Sequence, residues 1–203
     1  MKMSSSDFLA RRRPYLRDLV AALNGLVPYA SVLGEDSLGW SCRASASGMS
    51  AGEDDMETAR GFTVRLWNGG FSEYSFTDIP ACSAEEFARE ILKKAPPSFT
   101  NDPVPKDEPK TLCESSTFAI DPQEMGGPAI LAEMNAIRAE GLAMDDRLLD
   151  CIASCVWKKT HKIFLSANRD LEQNTLWTCA SVVMLASRGL TGSDHVDGRG
   201  PRE

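Results

Sequence analysis

Only two histidines, His161 and His195, occur in the 203 residues, so any histidine-dependent chemistry must run through one of them. His161 stands between Thr160 and Lys162. Nothing in the sequence pairs it with a nucleophile such as Cys151, Cys155 or Ser166, nor supplies the third group that orients a catalytic base. Cys151 and Cys155 have zinc-ligand spacing only if they lie on a helix. The surrounding periodicity is that of a strand, in which four residues span roughly 13 Å. Two ligands of one zinc lie about 4 Å apart, given a Zn–S bond near 2.3 Å, so the pair reads as two core thiols. Asp194-His195-x-Asp197 holds ligand types on a glycine-rich tail without the other half of a site. Glu53, Asp54, Asp55 and Glu57 lack the glycine and terminal glutamate of a calcium loop and read as a solvated acidic loop. Gly126-Gly127-Pro128 opens a helix but follows no strand and precedes no P-loop lysine, so it reads as a helix-start loop rather than an anion cradle. No nucleophile elbow or dinucleotide fingerprint occurs. The residues therefore assign no catalytic, cofactor-binding or metal-binding position, and the substrate-binding residues stay unassigned.

Composition narrows the class further. Lys and Arg number 22 against 29 Asp and Glu, a net charge of −7, which argues against direct nucleic-acid binding. The local exception, Arg11-Arg12-Arg13 with Arg17, is read as a solvated helix face. The N-terminus has no apolar segment of the kind a signal peptide needs, and no stretch approaches the length of a membrane span. The expected location is the cytoplasm, where six scattered cysteines act as free thiols and small hydrophobes. Cys151, Cys155 and Cys179 are expected to be buried.

The elements that would position any site follow from periodicity. Leu16, Leu19, Val20 and Leu23 form one helical stripe, with Pro14 in the first turn and Gly25 closing the helix. Residues 29–36 and 38–47 read as two strands about Asp36-Ser37, and residues 47–60 as a loop or weak strand. Asn68-Gly69-Gly70 between residues 61–67 and 71–77 is a hairpin turn, because a type I′ turn needs positive φ at both central positions. Ser83 and Glu86 form a capping box for the helix stopped by Pro96-Pro97. Residues 96–109 are a proline-rich joint. Asp121-Pro122 caps a short turn, and residues 128–140 form a helix. Residues 147–189 form a meander of three runs, interrupted at Lys158-Lys159-Thr160 and turned at residues 167–170. Residues 190–203 are expected to be a frayed tail. The result is an α+β fold with antiparallel sheets and packed helices, in two small lobes. Its parts are an N-terminal lobe at 1–95, a linker at 96–112, a helix-plus-meander lobe at 113–189 and the tail.

The IFLSANRD turn, the following LEQNTLWTCASVVMLASRG run, the GFTVRLWNGGFSEYSFTDI hairpin and the helix at 83–94 resemble the N-terminal half of the TldD/PmbA family. The similarity covers roughly residues 16–189. Members are zinc metallopeptidases, also called modulators of DNA gyrase, about twice this long. The resemblance implies dimers that degrade peptides in a closed chamber, with zinc bound in the C-terminal half by a helical His-Glu-x-x-x-His motif and a distant Cys. This sequence has no such motif. The resemblance therefore implies a non-catalytic half or truncated relative, without a cofactor of its own. It would contribute chamber wall, substrate access and subunit contacts to a homo- or heterodimer acting on peptides. The alternative is a freestanding α+β interaction or regulatory module. A cysteine hydrolase using His161 is a third reading, for which the sequence supplies no partner groups.

Overall fold

The computed structural model describes residues 1–54, 57–95, 103–187 and, as backbone, 193–196. Its frame is a pair of long strands, β1 (Tyr29–Ser45) and β6 (Leu148–Ser166). They run antiparallel without a register break from Ser31 opposite Ser166 to Ala44 opposite Ala153. Around them assemble β2 (Gly48–Glu53), β3 (Ala59–Trp67), β4 (Phe71–Phe76), β5 (Lys110–Ser115), β7 (Arg169–Ser187) and β8 (Ser193–Val196). The order across this one sheet is β4-β3-β1-β6-β7-β5, with β2 also on β1 and β8 also on β7. Four helices complete the described residues: α1 (Asp7–Asn24), α2 (Ala84–Lys94), α3 (Pro122–Met125) and α4 (Gly127–Leu142).

Because side chains alternate along a strand, an unbroken ladder fixes which residues share a face. Ala30 and Val32 of β1, with Ile163 and Leu165 of β6, join the core under α1 and α2. Cys42 and Ala44, with Ala153 and Trp157, join a second core under Ile130 and Met134 of α4. These are even positions of β1 and odd positions of β6, so α1 and α4 cover the same face of the sheet, one toward each end. The expected two lobes therefore correspond to two cores on a single sheet. The proline-rich segment does not divide that sheet, because β1 pairs with β3 on one side and β6 on the other. Residues 96–102 of the expected linker lie outside the described residues, and its end is already strand β5.

The local signals that were self-contained are realised. Ser83 Oγ accepts from the Glu86 amide while Glu86 accepts from the Ser83 amide. The hairpin forms between Trp67 and Phe71, but Gly69 alone takes positive φ (+79°) and Asn68 does not, so the expected type I′ turn gives way to a three-residue loop. Asp121 accepts from the Gln123 amide to start α3.

Other expectations are corrected. Asp36-Ser37 is mid-strand, because Asp36 lies opposite both Arg60 and His161 in the ladders. Lys158-Lys159-Thr160 does not break β6, because Lys158 bonds Glu57 and Lys159 bonds Asp121, giving these charges partners within a regular strand. The meander is thus a hairpin of two strands rather than three runs. Residues 48–53 form a strand on β1. α1 begins well before Pro14: Ser6 caps it by accepting from the Leu9 amide, leaving Pro14 inside the helix. β5 joins β7 in parallel, and part of the expected frayed tail returns as β8.

Close approach of α4 to the sheet is set by glycine. A Cβ at Gly127 would lie 2.8 Å from the Trp40 ring, and one at Gly141 would lie 2.5 Å from Cys151 Sγ. Cys151 is fully buried, so its sulfur has little room to retreat. Gly141→Ala should lower stability by about 1–3 kcal/mol through overpacking, read as the urea midpoint. A double-mutant cycle with Cys151→Ala should show favourable coupling, because removing the sulfur makes room for the new methyl. Strict additivity would mean that this contact is not the cause.

Candidate functional site

The two helical cores leave a seam between them on the covered face, and the polar residues of β1 and β6 converge there. An open cleft of about 460 Å³ is lined by Asp36, Arg60, Gln123, Lys159 and His161, among others. Asp36 accepts from Arg60 Nε at 2.8 Å and from Ser6 Oγ at 2.5 Å. Lys159 Nζ donates to Asp121 at 2.7 Å and to Gln123 at 2.9 Å. Desolvation alone would raise the Asp121 carboxyl, but the bonds from Lys159 and the Gln123 amide outweigh it and hold it below the ordinary range.

His161 is the histidine that sequence reasoning singled out, and its surroundings fix its role. Its Nδ1 lies 2.8 Å from Asn174 Oδ1. Asn174 is almost wholly buried, and its Nδ2 donates to Ser115 Oγ and Glu172, each at 3.1 Å. With the amide nitrogen so engaged, Oδ1 can only accept, and Nδ1 of His161 must carry the proton. The remaining nitrogen, Nε2, is then an unprotonated acceptor in the neutral ring. Glu172 closes the network by accepting from Ser5 and from Arg13. Burial would raise its carboxyl, yet the bonds from Ser5, Asn174 and Arg13 bring the net effect below its usual value.

The other candidates lie apart. Arg12 pairs with Asp78, Arg13 with Asp170 and Glu172, and Arg17 with Asp170. Three of the four arginines of the patch are thus answered by this chain's own carboxylates. Cys151 packs under α4, while Cys155 sits opposite Cys42 across the β1–β6 ladder. Burial raises all three of these thiols, which makes them poor nucleophiles. Cys179 is exposed, contrary to expectation, because it lies on the outermost long strand. Cys155 is only half-buried. Gly126 ends α3 and precedes α4 with φ +83°, and Gly127 abuts Trp40. Glu53 ends β2, Glu57 pairs with Lys158, and Asp55 lies outside the described residues. The His195 backbone belongs to β8, and Asp197 lies outside the described residues.

The polar groups of the cleft are engaged mainly with one another. Neither Ser6 nor Ser37 bonds His161; Ser6 donates to Asp36, and Ser37 donates to Glu35. Among the described residues no three His, Cys, Asp or Glu side chains converge as a metal site. In the cleft itself Arg60 and Lys159 already neutralise the carboxylates a divalent ion would need, so the donor set does not fit zinc.

No family model matches this sequence, and no curated protein matches it. Solved structures do. A protein designated a modulator of DNA gyrase from Bacteroides thetaiotaomicron aligns over 93% of this chain and 43% of its own, with TM-score 0.63 and 15% identity. Another so designated, from Thermotoga maritima, aligns over 93% of this chain and 40% of its own, with TM-score 0.65 and 11% identity. TldE from Thermococcus kodakarensis aligns over 88% and 40%, with TM-score 0.61 and 12% identity. The chain has a TldD/PmbA-like fold. It spans about two fifths of the length of these TldD/PmbA-like chains. Among the described residues no helix is long and apolar enough to cross a membrane.

Two outcomes follow from the buried network. Glu172 and Asp121, and beside α4 Asp150, which accepts from Arg138 and the Ala46 amide, all ionise more readily in the folded state than the ordinary carboxyls of an unfolded chain, near 4. A depressed carboxyl stabilises above its unfolded pKa, and that contribution is lost as pH falls through the folded value. The urea midpoint should therefore hold from neutral pH to about 5 and drop below about 4. Glu172→Gln should be weaker at neutral pH and show a shallower acid decline; an unchanged decline would remove Glu172 from the account. Heteronuclear NMR of neutral His161 should find the proton on Nδ1, whereas an Nε2–H tautomer would contradict the Asn174 geometry.

Proposed function

We propose that this chain is the N-terminal, non-catalytic half, or a truncated relative, of a TldD/PmbA-type zinc metallopeptidase. The supporting observation is the asymmetry of the structural match, which takes in nearly all of this chain but only 40–43% of each related chain. The quoted sequence resemblance assigns the matching part to the N-terminal half. In this reading the chain works in the cytoplasm as half of a homo- or heterodimer, building the chamber wall, substrate access and subunit contacts. Zinc belongs to the catalytic half, and no step of hydrolysis is carried by residues described here. The rigid β1–β6 frame suits a wall, since its ion-paired seam and two cores fix the sheet from both ends. The substrate is peptide, recognised in extended form.

Hydrolysis at zinc requires about three protein ligands, an open position for water and a general base. The isolated chain supplied with zinc should leave unstructured peptides intact. A chain joined to a catalytic half bearing His-Glu-x-x-x-His, in cis or as a partner, should cleave them in a chelator-sensitive manner. Chelator-sensitive cleavage by the isolated chain, lost in His161→Ala, would overturn the assignment. Failure of the joined protein to cleave would favour a freestanding interaction module.

A further inference from the structure

Cys42 and Cys155 are the one pair of cysteines that stand opposite each other in the strand ladders of the described residues. Both lie on the covered face of the sheet, since Cys42 holds an even position of β1 and Cys155 an odd position of β6. We propose that this pair is a site of reversible oxidation, which a small-molecule disulfide converts to a cross-strand disulfide stapling β1 to β6. The inference stands on the ladder and does not depend on the proposed function.

The spacing of the two cysteines follows from bonds already made. The Asn174 carbonyl accepts from Ser116, on the β5 side, so the even residues of β7 bond away from β6. Their partners, the odd residues of β6, therefore bond toward β1. Cys42 and Cys155 are thus a hydrogen-bonded pair, whose Cα atoms stand about 5.5 Å apart. A disulfide spans about 4.4–6.8 Å between Cα atoms, most often near 5.5–6 Å. Side chains opposite in such a pair start about 5.5 Å apart at Cβ, and a disulfide wants about 3.5–4.5 Å. Closure therefore asks for roughly 1 Å of local approach. The Cys42 sulfur already leans toward β6, where it accepts from the Cys155 amide.

The surroundings permit that approach. Ala51 stands opposite Cys42 on β2, and Ala180 stands opposite Cys155 on β7, so the row across the four strands is small on both flanks. Cys42 belongs to the smaller core under α4, and Cys155 packs against it. The α1 end of the ladder is held by a larger core, so the staple falls at the end with less burial to defend the register. The bond closes a loop that takes in every element from β2 to α4, which removes freedom from the unfolded chain. The other cysteines are set apart. Cys151 is four residues from Cys155 on the same strand, and Cys179, opposite Val156, projects to the other face of the sheet.

Accessibility decides the order of the steps. Cys155 is half-buried and Cys42 is buried, so Cys155 meets the reagent first. Its thiol loses a proton, and the sulfur attacks one sulfur of the reagent and releases one thiolate. Cys42, deprotonated in turn, attacks Cys155 Sγ and releases the second. Two protein thiols are oxidised, one reagent disulfide is reduced, and the two protons end on the two reagent thiols. Burial holds both protein thiols protonated at neutral pH, so the first attack is slow. The second is fast because its partner is opposite. The exposed Cys113 and Cys179 have no opposing thiol and stop at the mixed disulfide.

The test incubates the full, folded chain with glutathione disulfide, blocks the remaining thiols with iodoacetamide and maps the peptides by mass spectrometry without reduction. A Cys42–Cys155 link should be the main internal disulfide, with Cys113 and Cys179 carrying glutathione. The urea midpoint of the linked chain should rise and fall back on adding dithiothreitol. In Cys42→Ala the attack stops halfway, and glutathione should accumulate on Cys155. In Cys155→Ala, Cys42 should stay a free thiol, with modification at least tenfold below that of Cys155 in the unsubstituted chain. The map of the unsubstituted chain decides the matter even where a variant fails to fold. Cys42 and Cys155 both remaining free while Cys113 and Cys179 are modified would overturn the proposal. So would a link from Cys155 to Cys151 or Cys179 in place of Cys42, or a Cys42–Cys155 link that forms only in urea. A midpoint unchanged by the link would remove its role as a staple.

Discussion

The β1–β6 ladder is the constraint on which the remaining arrangement depends. Fourteen consecutive partners from Ser31–Ser166 to Ala44–Ala153 hold one register, and a slip of one residue would turn every apolar side chain to the wrong face. The register is defended at both ends by burial of different helices. Val32 and Leu165 are fully buried against the α1 and α2 core, while Ala44 and Ala153 are fully buried against α4. A sheet pinned this way has one helix-covered face and two separate cores. The interval between the cores is polar, since neither α1 nor α4 reaches across it and only the start of α3 borders it. Trp40 and Trp157, stacked at 6.1 Å, mark the boundary on the α4 side. Burial leaves the Trp157 indole N–H without an acceptor among the described residues, a cost the tight packing of this core has to offset.

That frame explains the distribution of charge. Asp36, Arg60, Lys159 and His161 all fall on the covered face of the strands, where isolated charges would be expensive. Each has a partner: Ser6 and Arg60 for Asp36, Asp121 and Gln123 for Lys159, Asn174 for His161. The same partners tie distant segments together. Ser6 fixes the start of α1 to mid-β1, and Asp121 fixes the start of α3 to mid-β6. The cleft is first a consequence of two cores sharing a sheet, and its polar groups serve as joints between helices and strands.

Legibility in the sequence followed the range of the interaction. The hairpin at Asn68-Gly69 and the Ser83–Glu86 box are decided within a few residues, and both form, although the turn takes a three-residue loop instead of the type I′ geometry. The stripe Leu16, Leu19, Val20 and Leu23 is likewise local. Asp36-Ser37 and Lys158-Lys159 misled because their strand positions are made acceptable by Arg60, His161, Glu57 and Asp121, all far away in sequence. β5 carries little period-two signal, being exposed through Lys110–Glu114, and its parallel pairing with β7 depends on a chain reversal that no local motif announces. The same holds for Cys179. Its neighbours look like a core strand, and only the position of β7 outside β6 leaves it exposed. The network about His161 was hidden for a related reason, since Asn174 carries no signature until the β6–β7 register places it opposite the ring.

Asn174 also connects two parts of the molecule, the cleft and the end of β5. Its side chain meets His161, which lines the cleft, and Ser115 at the end of β5. Its backbone carbonyl holds Ser116 at the end of β5. One nearly inaccessible residue thus fixes the histidine ring and holds the end of the parallel strand. An asparagine suits this position because it presents a donor and an acceptor without a charge that burial would penalise. A movement of β5 relative to β7 would have to strain this amide, so the position of the parallel strand and that of the histidine ring are coupled through a single side chain.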